Sequence, residues 1–401
     1  MSCHSDRGIL GGMDIIKEKI KQANELLEEL NTDAWIVFVR ETSMMADPTM
    51  AMVVGFEAVW NSFFIFTRGG DAVAVVGNLD AENFRQSGRF TEVVPYTKGV
   101  KEDLRQIIAK LDPASIAVNY SLDNPAADGL THGMYLQLLD YLEGTPYIDR
   151  IISAEQLVSK LRSRKLPSEV DLISDAAKVT VEVWNESLPD FKAGMTEIEI
   201  AAVIEGNMRK RGLASSFDTI VNAGDKTRPG HGLPTKAKVG LGDLLHVDFG
   251  VKLNDYCSDL QRLVYFNRFG ETKPPEELLE AFQMVESIIT ETGKMCKPGV
   301  KGFEIDGLAR EMLADNGYPE YEHALGHQVG RDVHDGGGII GPKWERYGKT
   351  PEIELEAGNV STLELEINLP GIGCVGLEED ICVTENGARF LCARQTELTV
   401  K

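Results

Sequence analysis

GDLLHVDFGVKLNDYCSDLQRLVY, residues 242–265, reads as two apolar strands joined by a short turn. Each strand carries one carboxylate against its pattern, Asp248 in HVDFG and Asp259 in YCSDLQR. A charged side chain in an apolar strand costs free energy unless it is paired or holds a cation. A turn at Lys252–Asp255 makes the strands antiparallel neighbours, which lets both carboxyls reach one face. Taken singly, each aspartate also fits a solvent-facing position in an alternating strand.

The pattern recurs downstream. FKAGMTEIEIAAVIEGNMRKRGL (191–213) resembles CKPGVKGFEIDGLAREMLADNGY (296–318), so that Lys192, Gly194, Glu199, Ile200 and Gly212 pair with Lys297, Gly299, Glu304, Ile305 and Gly317. The strand-like stretches that follow also line up. GDLLHVDFG (242–250) matches GNVSTLELE (358–366), which sets Asp248 opposite Glu364. SDLQRLVY (258–265) matches EEDICVTE (378–385), which sets Asp259 opposite Glu379. Such a repeat implies a pseudo-twofold domain with four carboxylates at its centre. Glu364 and Glu366 share a strand face, so alternation cannot separate them. Glu378, Glu379 and Asp380 pose the same ambiguity, and the repeat selects Glu364 and Glu379.

HALGHQVGRDVH (323–334) holds His323, His327 and His334, three of the chain's seven histidines. Gly326 and Gly330 flank His327 and permit close backbone approach to a ligand. This clustering favours one metal-ligating imidazole with neighbouring histidines that work on substrate. His231, in GHGLPT after a Pro-Gly bend, falls on a loop. Four carboxylates and one imidazole suffice for two divalent ions, which together activate water at neutral pH. The loop 335–348 follows His334 directly, contains Gly336-Gly337-Gly338 and carries Trp344, Arg346 and Tyr347. We expect it to border the substrate pocket.

At 401 residues the chain is comfortable for two domains. A net charge of −22 argues against nucleic acid or an anionic membrane as partner. No apolar run reaches the length of a membrane span. The opening MSCHSDRGILGG has no apolar core of the signal-peptide kind. Cys3, Cys257, Cys296, Cys374, Cys382 and Cys392 form no C-x-x-C pair, so reduced thiols in a cytoplasmic protein are expected. Ile16, Ile20, Ala23, Leu27 and Leu30 recur at helical spacing and predict a helix over 13–30. Strand-like runs follow at 34–40, 62–68, 72–77 and 115–120, with helices near 101–111 and 131–143. Together they predict an α/β domain over 13–158. The charged segment SKLRSRKLPSEVD (159–171) marks the boundary, and a second domain covers 165–401. Its helices are expected near 168–190, after the capping-box pair Thr196 and Glu199, and near 275–294 and 302–315.

TIVNAGDKTRPGHGLPT, DFGVKLNDYCSDLQR, HALGHQVGRDVH, STLELE and LEEDICVTENG resemble, in order, the motifs of the pita-bread metallopeptidases. Two-domain members include Xaa-Pro aminopeptidases and prolidases, with creatinase as a relative. The likeness spans the second domain, and the first has the length and pattern of a creatinase-type N-terminal domain. The resemblance implies a mixed α/β (α+β) fold and two divalent ions held by Asp248, Asp259, His327, Glu364 and Glu379. It implies a hydroxide between ions about 3.5–4 Å apart, with Asp259 and Glu379 bridging. Glu364 is then the proton shuttle, His231 and His334 hydrogen-bond the reacting groups, and His323 binds substrate. Mn²⁺ is favoured by the resemblance, while Co²⁺, Zn²⁺ and Fe²⁺ also suit the ligands. The implied activity is exopeptidase cleavage of Xaa-Pro bonds in di- or oligopeptides, with a peptide or small molecule as substrate. We expect a homodimer.

The chain departs from the family pattern in places. Leu365 follows Glu364 where proline is usual, Asp335 follows His334 where glutamate is usual, and Leu377 stands where an arginine often lies. These departures keep a second class open: a C–N hydrolase or lyase of the same fold acting on a small organic molecule.

Overall fold

The computed structural model describes residues 9–10, 13–226 and 232–401. The chain divides into two compact units, residues up to Arg162 and Ser163–Lys401. In the first, helix α1 (Ile15–Glu29) begins where the Asp14 carboxylate accepts from the Ile16 and Lys17 N–H groups. Strands β1 (Ala34–Val39), β2 (Ser62–Thr67), β3 (Ala72–Gly77), β4 (Glu92–Tyr96), β5 (Ile116–Val118) and β6 (Ile151–Ser153) follow. They form one sheet in the order β4-β3-β2-β1-β5-β6. Trp35, Val37, Phe64 and Phe66 pack with Ile16, Ile20 and Leu27 of α1. Ile36, Phe38, Phe63 and Ile65 pack on the other face with Leu104, Ile108, Met134 and Leu138. With both faces covered, β1, β2 and β3 are buried along their whole length and read as unbroken apolar runs. The sequence reading misses β4 and β6, the outermost strands. β4 contains Pro95, and β6 is short and only partly buried.

The second unit carries helices α2 (Pro167–Ser187), α3 (Glu197–Lys210), α4 (Glu276–Met295) and α5 (Gly302–Asp315). Its seven-stranded sheet runs β7 (Ile220–Ala223), β8 (Leu244–Phe249), β9 (Leu260–Tyr265), β11 (Gly373–Thr384), β10 (Val360–Leu369). β12 (Gly387–Phe390) pairs with β11, and β13 (Thr399–Val400) with β9. α2 and α3 pack on Leu245, Val247 and Phe249. α4 and α5 pack on Leu363, Leu365, Ile367 and Leu377. These apolar positions alternate along the strands with His246, Asp248, Glu364, Glu366 and Glu378. The polar set therefore points to the face away from the helices.

The internal repeat is visible in the backbone. α3 and α5 each span 14 residues. Glu199 accepts from the Thr196 N–H at 2.8 Å, and Glu304 from the Lys301 N–H at 2.9 Å. Gly194 and Gly299 precede the two helices with φ of 96° and 85°, and Gly212 and Gly317 follow them with φ of 70° and 76°. These left-handed conformations explain why glycine recurs at both ends. The turn between the aspartate-bearing strands lies at Asn254 and Asp255, whose φ values of 50° and 67° suit a two-residue hairpin.

Candidate active site

Strand register sets the acidic row. Asp248 on β8 stands opposite Gln261 on β9, Gln261 opposite Glu378 on β11, and Glu378 opposite Glu364 on β10. Directly opposed residues share a face. One row across the sheet thus presents Asp248, Gln261, Glu378 and Glu364 together. Asp259 lies two residues before Gln261, and its N–H donates to the Asp380 carboxylate at 3.1 Å. His327 arrives on a segment tied to β10, where the Thr362 N–H donates to its carbonyl at 2.8 Å. A Cβ at Gly326 would come 2.1 Å from the Thr362 carbonyl oxygen, so glycine permits this approach. The His327 Nε2 lies 3.5 Å from Asp259 Oδ2, 3.7 Å from Glu364 Oε1 and 3.9 Å from Glu378 Oε1.

Glu379 does not join them, and this corrects the register expected from the repeat. It is paired with Leu363 across the β10–β11 ladder and faces the helix side of the sheet. There Arg262 meets its carboxylate at 3.1 Å, and the Gln395 N–H donates to it at 3.1 Å. Glu378, one residue earlier, occupies the place expected for Glu379. Glu366 shares the face of Glu364, but its carboxylate accepts from the Cys374 thiol at 3.4 Å.

The carboxyls of the row crowd one another in a buried space. Burial pushes Asp248 up to about 7. Burial and then the charge of Asp248 push Glu364 up to about 8. Asp259 and Glu378 are held well above the carboxylate range by burial and by their acidic neighbours. Asp248 Oδ1, Asp259 Oδ1 and Glu378 Oε1 are buried without a hydrogen-bond partner among the described residues. Asp259, His327 and Glu378 each offer one ligand atom within 4.8 Å of the others. Buried oxygens aimed at one another beside an imidazole fit bound divalent cations, which neutralise the repulsion and take up the orphaned lone pairs.

The other histidines divide. The His334 ring lies 4.4 Å from the His327 ring, edge to face. Its neighbour Asp335 is anchored by Lys165 at 2.6 Å in a buried ion pair. His323 lines a cavity of about 930 Å³ together with Tyr321, Glu322, Trp344 and Arg346. Trp344 is flanked by the Arg310 and Arg346 guanidiniums at 4.8 and 4.7 Å. The Tyr321 ring lies 5.6 Å from that of His323 in this cavity. Burial raises its phenol well above the ordinary value, and the charges of Glu364, Glu366 and Glu378 add to the effect. His231 lies outside the described residues.

Residues 171–385 match metallopeptidase family M24. The chain belongs to this family. It is similar to an Xaa-Pro dipeptidase of Pyrococcus horikoshii, 26% identical over 96% of this chain and 100% of that one. Among solved structures, an Xaa-Pro dipeptidase from Bacillus anthracis matches with a TM-score of 0.76 at 25% identity, covering 96% of this chain and 100% of that chain. An X-Pro aminopeptidase from Thermotoga maritima matches with a TM-score of 0.73 at 25% identity, covering 95% and 99% of the two chains. The fold is thus the two-domain pita-bread architecture, and the protein is an M24 metallopeptidase that depends on divalent metal.

Within this M24 site, sequence reasoning missed Glu378, Gln261, His246 and Tyr321. For Glu378 a signal existed. NLPGIG (368–373) reads as a hairpin turn with Gly371 at a positive φ, here 78°. Closing the strands as Leu369 opposite Gly373 counts back to Glu364 opposite Glu378. Gln261 and His246 carried no such mark, because a neutral polar residue inside a strand names no chemistry.

Proposed function

We propose that this M24 metallopeptidase is an exopeptidase that cleaves the bond between an N-terminal residue and proline in di- or oligopeptides. The convergence of Asp248, Asp259, His327, Glu364 and Glu378 on one face of the sheet carries the reading. Asp248, Asp259, His327, Glu364 and Glu378 would together hold the two divalent ions. When bound, the ions supply a hydroxide at neutral pH and polarise the scissile carbonyl. Glu364 moves the proton towards the leaving amine. His334, seated against His327, donates to the carbonyl side, and His231 serves the amine side. Tyr321 and His323 form the wall against which the substrate lies. An imide bond has no N–H, and none of these groups needs one.

The resemblance in motifs supports Mn²⁺ as the ion, with Co²⁺, Zn²⁺ and Fe²⁺ chemically compatible, and it supports a homodimer. Five free thiols among the described residues, four of them buried, support a reducing compartment such as the cytoplasm. Among the described residues, no helix is long and apolar enough to cross a membrane.

The deciding assay is release of free amino acid from Xaa-Pro dipeptides and from longer Xaa-Pro peptides by Mn²⁺- or Co²⁺-loaded protein. Turnover of either set supports the reading, and their ratio separates dipeptidase from aminopeptidase. No release from any of them, together with turnover of a small non-peptide compound, replaces it with the C–N hydrolase or lyase reading. The cavity gives a second expectation. Trp344→Ala should raise KM for a peptide roughly tenfold, the scale of one to two kcal/mol of lost aromatic contact, while metal content stays unchanged. Steady-state kinetics with metal analysis checks this, and an unchanged KM removes the loop from the substrate pocket.

A further inference from the structure

We propose that Gln261, backed by His246, is a positioning residue that decides which oxygens of Glu364 and Glu378 face the metal centre. The inference rests on the metal-binding part of the functional reading and not on the choice of substrate. The Gln261 Nε2 donates to Glu378 Oε2 at 2.9 Å and to Glu364 Oε2 at 3.2 Å. Each glutamate therefore has Oε2 engaged by the amide. The other oxygen, Oε1, is the one turned to the His327 imidazole, at 3.7 Å for Glu364 and 3.9 Å for Glu378. One NH₂ group thus splits both carboxylates into a held oxygen and a ligating oxygen. A carboxylate that rotates freely offers either oxygen and loses part of its binding energy to ordering; a held one is preorganised.

The support behind Gln261 is specific. Ionised, as metal ligation requires, the two carboxylates can only accept, so the amide must present its NH₂ to them and its Oε1 to the other side. That Oε1 lies 2.9 Å from the His246 Nε2, which must then carry a proton. With Nε2 protonated and the ring neutral, the His246 Nδ1 is an acceptor, so the Asn222 side-chain amide 3.1 Å away must turn its NH₂ towards it. Both Gln261 and His246 are buried. Position 376 on the neighbouring strand completes the arrangement. A Cβ there would fall 2.7 Å from Gln261 Oε1 and 2.8 Å from His246 Nε2, so only glycine leaves room for the wedge. The wedge is neutral. A cation in its place would compete with the bound ions for the carboxylates' charge, whereas an amide orients them and leaves that charge available.

Gln261→Leu removes both donors at similar bulk. Calorimetric titration of metal-stripped protein with Mn²⁺ is expected to read an affinity about 10–100-fold weaker, the usual scale for loss of an outer-shell partner. At saturating Mn²⁺, kcat should fall while KM for the peptide stays within about twofold. His246→Phe and Gly376→Ala disturb the wedge indirectly and should weaken Mn²⁺ in the same direction by a smaller factor; they keep the test alive if Gln261→Leu does not fold. Mn²⁺ affinity within twofold of the parent in the folded variants, with only the melting temperature lowered, overturns the proposal. If the parent binds Mn²⁺ but cleaves no Xaa-Pro peptide, the substrate reading fails and this titration still decides the role of Gln261.

Discussion

Glu378→Gln is expected to lower turnover on the order of 10³-fold, the scale seen when one group that stabilises the transition-state charge is lost, and to leave the protein short of metal. Glu379→Gln, one residue away, should retain its metal and most of its turnover. The two side chains sit on opposite faces of the same strand. Glu378 lies in the row with Glu364 and Asp248, and its Oε1 has no partner among the described residues. Glu379 neutralises Arg262, whose side chain is only 3% exposed. Removing one partner of a buried pair leaves the other charge stranded, at a cost of about 3–5 kcal/mol. Glu379→Gln should therefore appear in a denaturation curve, and Glu378→Gln in metal analysis and kinetics. Metal loss on Glu379→Gln with full loading of Glu378→Gln would restore the register expected from the repeat. Glu366→Gln should leave metal content nearly unchanged.

Stripped of metal, the protein should become less stable as pH rises from about 4 to 8. In the unfolded chain the carboxyls titrate in their ordinary range near pH 4. In the folded chain Asp248 is pushed up to about 7 and Glu364 up to about 8, chiefly by burial. Between these limits the folded state holds protons that the unfolded state has released, so stability falls with rising pH and levels off above the folded values. Bound cations reverse the slope, since ligation needs the ionised carboxylates and displaces their protons. The melting temperature of chelator-treated protein should drop by several degrees, roughly 2–4 °C per kcal/mol at this domain size, between pH 5 and pH 8.5. Added Mn²⁺ should recover more of it at pH 8 than at pH 5. A melting temperature that rises with pH in the metal-free protein would contradict this account of the acidic row.

Most of the second unit was legible because its chemistry is written against its pattern. Asp248 and Asp259 interrupt apolar strands, the histidines cluster around His327, and the paired glycines and capping glutamates mark the repeat. Glu364 followed from that repeat. The last strand did not, because Glu378, Glu379 and Asp380 are consecutive acids and a one-residue slip moves a side chain to the other face. All three are buried, each for a different reason: the acidic row, the Arg262 pair, and the Asp259 N–H. Burial alone could not rank them, whereas the turn at Pro370-Gly371 could. In the first unit β1, β2 and β3 were plain from their unbroken apolar runs. β4 and β6 were lost because Pro95 interrupts the one and the other is only three residues long, too short for a period to show.

The row across β8, β9, β11 and β10 also bears on how the molecule comes to hold its ions during synthesis. Its outermost members in sequence, Asp248 and Glu378, lie in different halves of the repeat and meet only through the pairing of Gln261 with Glu378. Contacts between residues so distant along the chain are slow to form, because the entropy of closing the long loop is lost before they reward it. A nascent chain that has emerged only through β9 carries Asp248 and Asp259 but not yet His327, Glu364 or Glu378. The five ligands therefore stand together only once β11 closes the sheet.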